Sequence, residues 1–349
     1  VARDNLPEAW ALAAADQELD TRYWTAFQPL GLGHDFDKLD EVADRLILAG
    51  RHADVLHLMS MYSRTEDGPR PEAARLIVRA LDGLLANQVR SAAARDLHTY
   101  DFQHLFAYLE ATRDHLEPGD LVRLQWAYLP ALGYDAKIPA LSESLASDPA
   151  NFVDMVCLVF RARPESEVEE GTEEETEDQA DDEQRDASMA TNAYRLLNAW
   201  DSPPGLVDGA MDAGALRAWL DRAVGLLAER GRTEVGLQQF GQVLGHTPPD
   251  RDGAWPGVVV QDLLEDVQLE HIETGLYLHI VNGRGISSRG LEDGGGQELE
   301  FAAGYRAKAE VLADSAPRMA ALFRRVAASY ENDARRNEGN AERFRRGLH

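Results

Sequence analysis

The sequence has a single cysteine, few lysines and no apolar run near the ~18–20 residues that a bilayer span requires. With Cys157 alone, an intrachain disulfide and a multi-cysteine metal site are both excluded. Cys157 stands in the apolar run from Phe152 to Phe160, which predicts a buried, unreactive thiol. The lysines are Lys38, Lys137 and Lys308; the other 32 of the 35 basic residues are arginine. Beside abundant alanine, that bias matches high-GC bacterial codon usage, so arginine richness alone is no sign of phosphate recognition. No charged-then-apolar signal segment opens the chain. Together with the missing spans, this predicts a cytoplasmic protein without a membrane partner. The chain starts at Val1 rather than methionine and reads as helix almost at once, as an excerpt from a longer protein would.

Strand signals are equally scarce. Val258-Val259-Val260 is the one β-branched run, and a helical stripe through Val259, Leu263 and Leu264 competes for it. Helical periodicity, by contrast, recurs throughout. Leu39, Val42, Ala43, Leu46 and Ile47 fall on one helical face, with Gly50 placed to end that helix. Similar stripes run through Phe102, Leu105, Phe106 and Leu109, through Leu121, Leu124, Tyr128, Leu129 and Leu132, and through Leu216, Trp219, Leu220, Ala223, Val224 and Leu227. Met319, Leu322, Phe323, Val326 and Tyr330 form another. Asp148-Pro149 reads as an N-cap followed by a first-turn proline, and Asp120 reads as a cap after Pro118-Gly119. The fold class is therefore all-α.

Residues 1–163 read as short helices in pairs. These cannot bury their faces singly, so stacked hairpins follow, as an irregular α-solenoid of HEAT or tetratricopeptide character without a fixed period. Residues 189–349 read as a second helical domain with longer helices and Pro/Gly/Asp connectors at 201–205, 247–250 and 252–256. Between them, residues 164–188 form an acidic linker. From Glu165 to Asp186 there are 13 acids against the lone base Arg185, and no aromatic residue. Such a segment buries too little apolar surface to offset the entropy of ordering, so a disordered insert is expected. It holds nearly half of the chain's net charge of -26. A chain this negative repels nucleic acid and anionic lipid except where a local basic patch overrides the mean field.

Two stretches are candidates for contact with an anion. The glycine-rich stretch Asn282 to Gly296 carries Arg284 and Arg289, whose charge could join backbone amides in holding an anion. It matches neither a Rossmann turn, which wants glycine where Ser288 stands, nor a P-loop, since no lysine is near. The C-terminal stretch from Arg318 has eight arginines against four acids; Arg324, Arg325, Arg335 and Arg336 are its candidate anion or nucleic-acid contacts. Ordinary i,i+4 charge pairing on a solvated helix accounts for the same composition. His52 and His57, or His271 and His279, lack metal-ligand spacing, and Ser287 and Ser288 lack a nucleophile elbow. No catalytic, cofactor-binding or metal-ligating residue is assigned.

From about Ala193 onward the chain resembles the C-terminal region of large bacterial multidomain proteins. The resemblance rests on Ala193-Tyr-Arg-Leu-Leu-Asn-Ala-Trp200, Gly253-Ala-Trp-Pro256, Asn282-Gly-Arg-Gly285, Gly296-Gln-Glu298 with Tyr305-Arg306, and Ala328-Ser-Tyr-Glu331. It implies a sensor or scaffold module beside an NTPase or effector, with antiphage defence as its setting, and carries over no catalytic residue. The functional expectation is a non-enzymatic helical module that binds a protein partner or an attached effector domain. The alternative is a nucleic-acid-contacting module that uses the Arg/Gly loop and the basic terminal helix, with binding that weakens steeply as salt rises.

Overall fold

A computed structural model of the chain describes residues 10–12, 15–27, 36–64, 68–86, 97–160, 177–267, 269–283 and 294–345, without the side chains of 177–183. The fold is all-α, with one two-stranded hairpin among the described residues. The chain divides into two compact units, Val1–Leu141 and Ser142–His349.

The first unit contains α1 (Gln17–Ala26), α2 (Phe36–Leu48), α3 (His52–Tyr62), α4 (Pro71–Ala86), α5 (Thr99–Ala111) and α6 (Asp120–Tyr128). In α2 the stripe residues Leu39, Val42, Ala43 and Leu46 are buried, while Ile47 is half-buried. Gly50 ends the helix with φ +73°, and the Arg51 amide donates to the Leu46 carbonyl at 2.8 Å, closing the last turn. The Arg51 side chain then donates to the carbonyls of Trp24 and Phe27, fastening the end of α1. The expected apolar faces of α5 and α6 are buried too. Gly119, with φ +89°, takes the cap position before α6; Asp120 is the first helical residue and pairs with Arg123 at 3.0 Å instead of capping.

The second unit contains α8 (Pro149–Val159), α9 (Glu177–Ala199), β1 (Leu206–Val207), β2 (Ala210–Met211), α10 (Ala213–Glu229), α11 (Thr233–Leu244), α12 (Val258–Val267), α13 (Glu270–Asn282), α14 (Gly296–Val311) and α15 (Pro317–Arg345). It is preceded by α7 (Pro139–Ser147), within which the two units meet in sequence. Asp148 caps α8 by accepting from the Ala150 amide, with Pro149 in the first turn as expected. The unit's aromatic core assigns α8 to it. The Phe152 ring lies 5.3 Å from Trp200 and 5.4 Å from Trp219, and Trp219 stacks on Phe240 at 5.3 Å. The first compact unit thus ends at Leu141, ahead of residue 163, where the helical pattern alone placed the end of the first region. Cys157 on α8 is half-buried rather than fully enclosed.

Two further features differ from expectation. Helix α9 begins at Glu177, inside the acidic stretch expected to be without structure. From 177 to 190 there is no glycine, proline or β-branched residue, so helix can propagate backwards from the buried Ala193, Leu196 and Leu197. Residues 164–176 of the acidic segment lie outside the described residues. Of the two readings open for Val258-Val259-Val260, the helical one holds: the run opens α12, which buries Val260, Leu263 and Leu264. The strands lie elsewhere: Leu206 pairs with Met211 and Val207 with Ala210 around Asp208-Gly209, both at positive φ. An Asp-Gly pair between short apolar runs is the usual sequence of such a tight turn.

Helices α11 and α13 meet through glycine. A Cβ on Gly241 would collide with the Ile272 carbonyl, and one on Gly275 with the Gln238 carbonyl. The antiparallel pair α14 and α15 also comes close, through small residues. Ala320, Ala327, Ala334 and Ala341 recur every seven residues on α15 and are all buried, as are Ala302 and Ala309 on α14.

Candidate functional site

The loop between α11 and α12 is built from the 247–250 and 252–256 connectors, and several of its polar groups hold it in shape. The Trp255 indole N–H donates to the Thr247 carbonyl at 3.1 Å, and Thr247 itself is buried. The Asp250 carboxylate accepts from the Val258 amide at 2.7 Å, giving α12 its N-terminal partner. Asp252 accepts from the Ala254 amide at 3.0 Å, and Gly253 turns at φ +85°. The Trp255-Pro256 bond is cis, and the Pro256 carbonyl accepts from the Gln261 side chain at 2.7 Å. The loop thereby holds the Trp255 ring towards α14 and α15.

Those helices supply the opposite wall. Tyr305 stacks on Tyr330 at 5.8 Å with an interplanar angle of 11°, and lies 5.6 Å from Phe323. Burial and the neighbouring Tyr330 push the Tyr305 hydroxyl above its ordinary pKa, so it stays protonated. Arg306 donates to Glu331 at 2.7 Å beside this stack, bracing α14 against α15. Between loop and helices lies a cleft of about 410 Å³ whose walls include Trp255, Phe323, Val311 and Lys308. Val311, at the end of α14, is 81% exposed at the lip. A second cleft of about 600 Å³ opens on the other side of the same loop, towards the hairpin, and is lined by Asp208, Asp250 and Asp252 with Arg251.

Of the six arginines expected as anion or nucleic-acid contacts, the four on α15 are among the described residues. Arg284 and Arg289 lie outside the described residues. Arg324 is exposed and without a hydrogen-bond or ion-pair partner among them. Arg325 is spent on α13, its guanidinium 4.3 Å from the Tyr277 ring centroid. Arg335 donates to Asn332, one turn back. Arg336 likewise pairs with Asp333 at 2.5 Å. Two further arginines of this helix are paired as well. Arg318 donates to Glu273 at 2.6 Å, and Arg345 to Glu338 at 2.7 Å.

The histidines behave as packing groups. The His246 and His279 rings meet edge to face at 4.5 Å, and burial lowers both pKa values, keeping the imidazoles neutral. His52 is lowered by burial as well, and its ring lies over Gly83. Among the described residues, no group of three or more His, Cys, Asp and Glu is placed to hold a metal ion, and no helix is long and apolar enough to cross a membrane.

No protein-family model, curated protein or solved structure matches the chain. Trp255, Lys308, Val311 and Phe323 went unassigned in the sequence because the cleft joins segments more than 40 residues apart. The local signal was Gly253-Ala-Trp-Pro256, an aromatic residue inside a turn sequence, where a ring has no helical face to bury.

Proposed function

We propose that the chain is a non-enzymatic helical module, part of a larger bacterial protein, that binds a protein partner through the cleft formed by Trp255, α14 and α15. One observation carries the reading. The cleft's hydrogen-bonding side chains are committed to holding its own loop: the Trp255 indole to Thr247 and the Gln261 amide to Pro256. What it offers outward is aromatic and aliphatic surface with two charges, the Lys308 ammonium and the Asp252 carboxylate, and the exposed Val311 at its lip. A recognition surface has this composition, with an aromatic-lined pocket at its centre and charge at its rim. A reaction site needs convergent polar groups free to act on substrate. The first unit, in this reading, is an irregular helical array that presents a further surface.

The test is a substitution at the lip. Val311→Glu places a carboxylate where a partner's apolar anchor would enter, at a position too exposed for the fold to depend on it. Burying one such anchor contributes about 1.5–3 kcal/mol, so recovery of the partner in affinity capture is expected to fall by tenfold or more. Recovery equal to that of the unsubstituted chain would count against the cleft as the binding surface.

A further inference from the structure

Lys308 is the lone lysine of the second unit. Its ammonium lies 5.3 Å from the centroid of the Tyr305 ring and 5.8 Å from those of Trp255 and Phe323. Within ~6 Å of an aromatic centroid, a cation is attracted by the negative face of the ring. Three rings from separate segments thus converge on one alkylammonium. The chain carries 61 acidic residues, yet among the described residues Lys308 has no carboxylate partner. The walls therefore select this chemistry without help from a salt bridge. The residue itself is exposed, so swinging the side chain away gives up only the ring contacts.

From this arrangement we infer that the cleft is a receptor for a lysine side chain presented by the protein partner, and that Lys308 is its internal stand-in. This rests on the protein-binding reading above and names the chemistry of its anchor. Charge favours it, since the net charge of -26 attracts a basic segment and Asp252 stands at the cleft. The incoming ammonium takes the place over Trp255, Tyr305 and Phe323, and Lys308 turns out to solvent. The stand-in keeps the aromatic walls covered while the partner is absent and lowers the partner's affinity by the ring contacts it gives up.

The experiment uses the full chain labelled with 15N and follows the indole N–H resonance of Trp255, assigned by its loss in Trp255→Phe. The probe is an end-blocked octapeptide of alanine and serine with one central lysine; the control replaces that lysine with glutamate. Lys308→Ala, on an exposed helical face, is expected to bind the lysine peptide about fivefold more tightly than the unsubstituted chain, the factor by which an exposed cation–π contact biases an equilibrium. Neither protein is expected to respond to the glutamate peptide. Lysine-peptide binding no tighter in Lys308→Ala would overturn the inference. So would glutamate-peptide binding that Lys308→Ala abolishes, because Lys308 would then be an anion contact. Failure here with partner capture still sensitive to Val311→Glu removes the stand-in alone. Success here with capture insensitive to Val311→Glu removes the protein-binding reading.

Discussion

Gly275→Ala is expected to destabilise the second unit by about 3 kcal/mol, which for a unit of this size lowers its melting temperature by about 6–12 °C. The added methyl group would enter the Gln238 carbonyl and press on the Gln242 amide, both backbone atoms of α11. Neither can swing aside as a side chain would, so α11 and α13 must separate. The same separation would pull apart the contact between Gly241 and the Ile272 carbonyl. Gly225 on α10 is the control: it is exposed, and a Cβ there would meet nothing within 4 Å. Gly225→Ala is expected to raise stability by about 0.5–1 kcal/mol, because alanine loses less backbone freedom on folding. Urea unfolding of both variants gives the comparison, and equal effects would contradict close packing of α11 on α13.

In the first unit, Asp101→Ala is expected to cost about 3 kcal/mol, measured by the same denaturation. Asp101 joins α5 to α3. It accepts from the Ser60 hydroxyl at 2.7 Å, from Arg64 at 2.8 Å and from the His98 amide at 3.0 Å. Ser60 is fully buried. Burial alone would raise the Asp101 pKa; the His98 amide, Ser60 and Arg64 outweigh it and hold the carboxyl below its ordinary value. Removing the carboxylate leaves the buried Ser60 hydroxyl and the His98 amide without their acceptor, which is why the loss exceeds that of one ordinary hydrogen bond; the exposed Arg64 keeps the Ser60 oxygen at 2.9 Å. A loss under about 0.5 kcal/mol would show that the cluster is decorative.

These sites also show what the sequence could disclose. Periodic stripes such as Leu39 to Leu46 and Phe102 to Leu109 were readable because a buried helical face needs its apolar residues three and four apart. Gly50 was readable because a residue with φ +73° at a helix end is nearly always glycine. The Asp208-Gly209 turn carried an equally specific signal, outweighed by strands of only two residues. The start of α9 at Glu177 was hidden by charge, since the low apolar content that argues against a core says nothing of helix propensity. Glycine contact between Gly241 and Gly275 left no local trace, because partners 34 residues apart are fixed by packing and not by spacing. The cleft was illegible for the same reason: Trp255, Lys308 and Phe323 belong to a loop and two helices, and only the tertiary fold sets the rings around the ammonium.

The basic terminal helix illustrates the reverse case. Composition alone made Arg335 and Arg336 conspicuous, yet their nearest partners are Asn332 and Asp333 on the preceding turn. Pairs of that kind, three residues apart on an exposed helix, are worth a few tenths of a kcal/mol and stabilise the helix that carries them.

The most direct measurement of the account is site-specific photo-crosslinking in the cells that produce the protein. A photoreactive residue at position 311 samples the cleft, and one at position 336 samples the arginine face of α15. A discrete protein adduct is expected from position 311 and none of that size from position 336. An adduct from 336 with none from 311, or a nucleic-acid adduct in place of a protein, would contradict it.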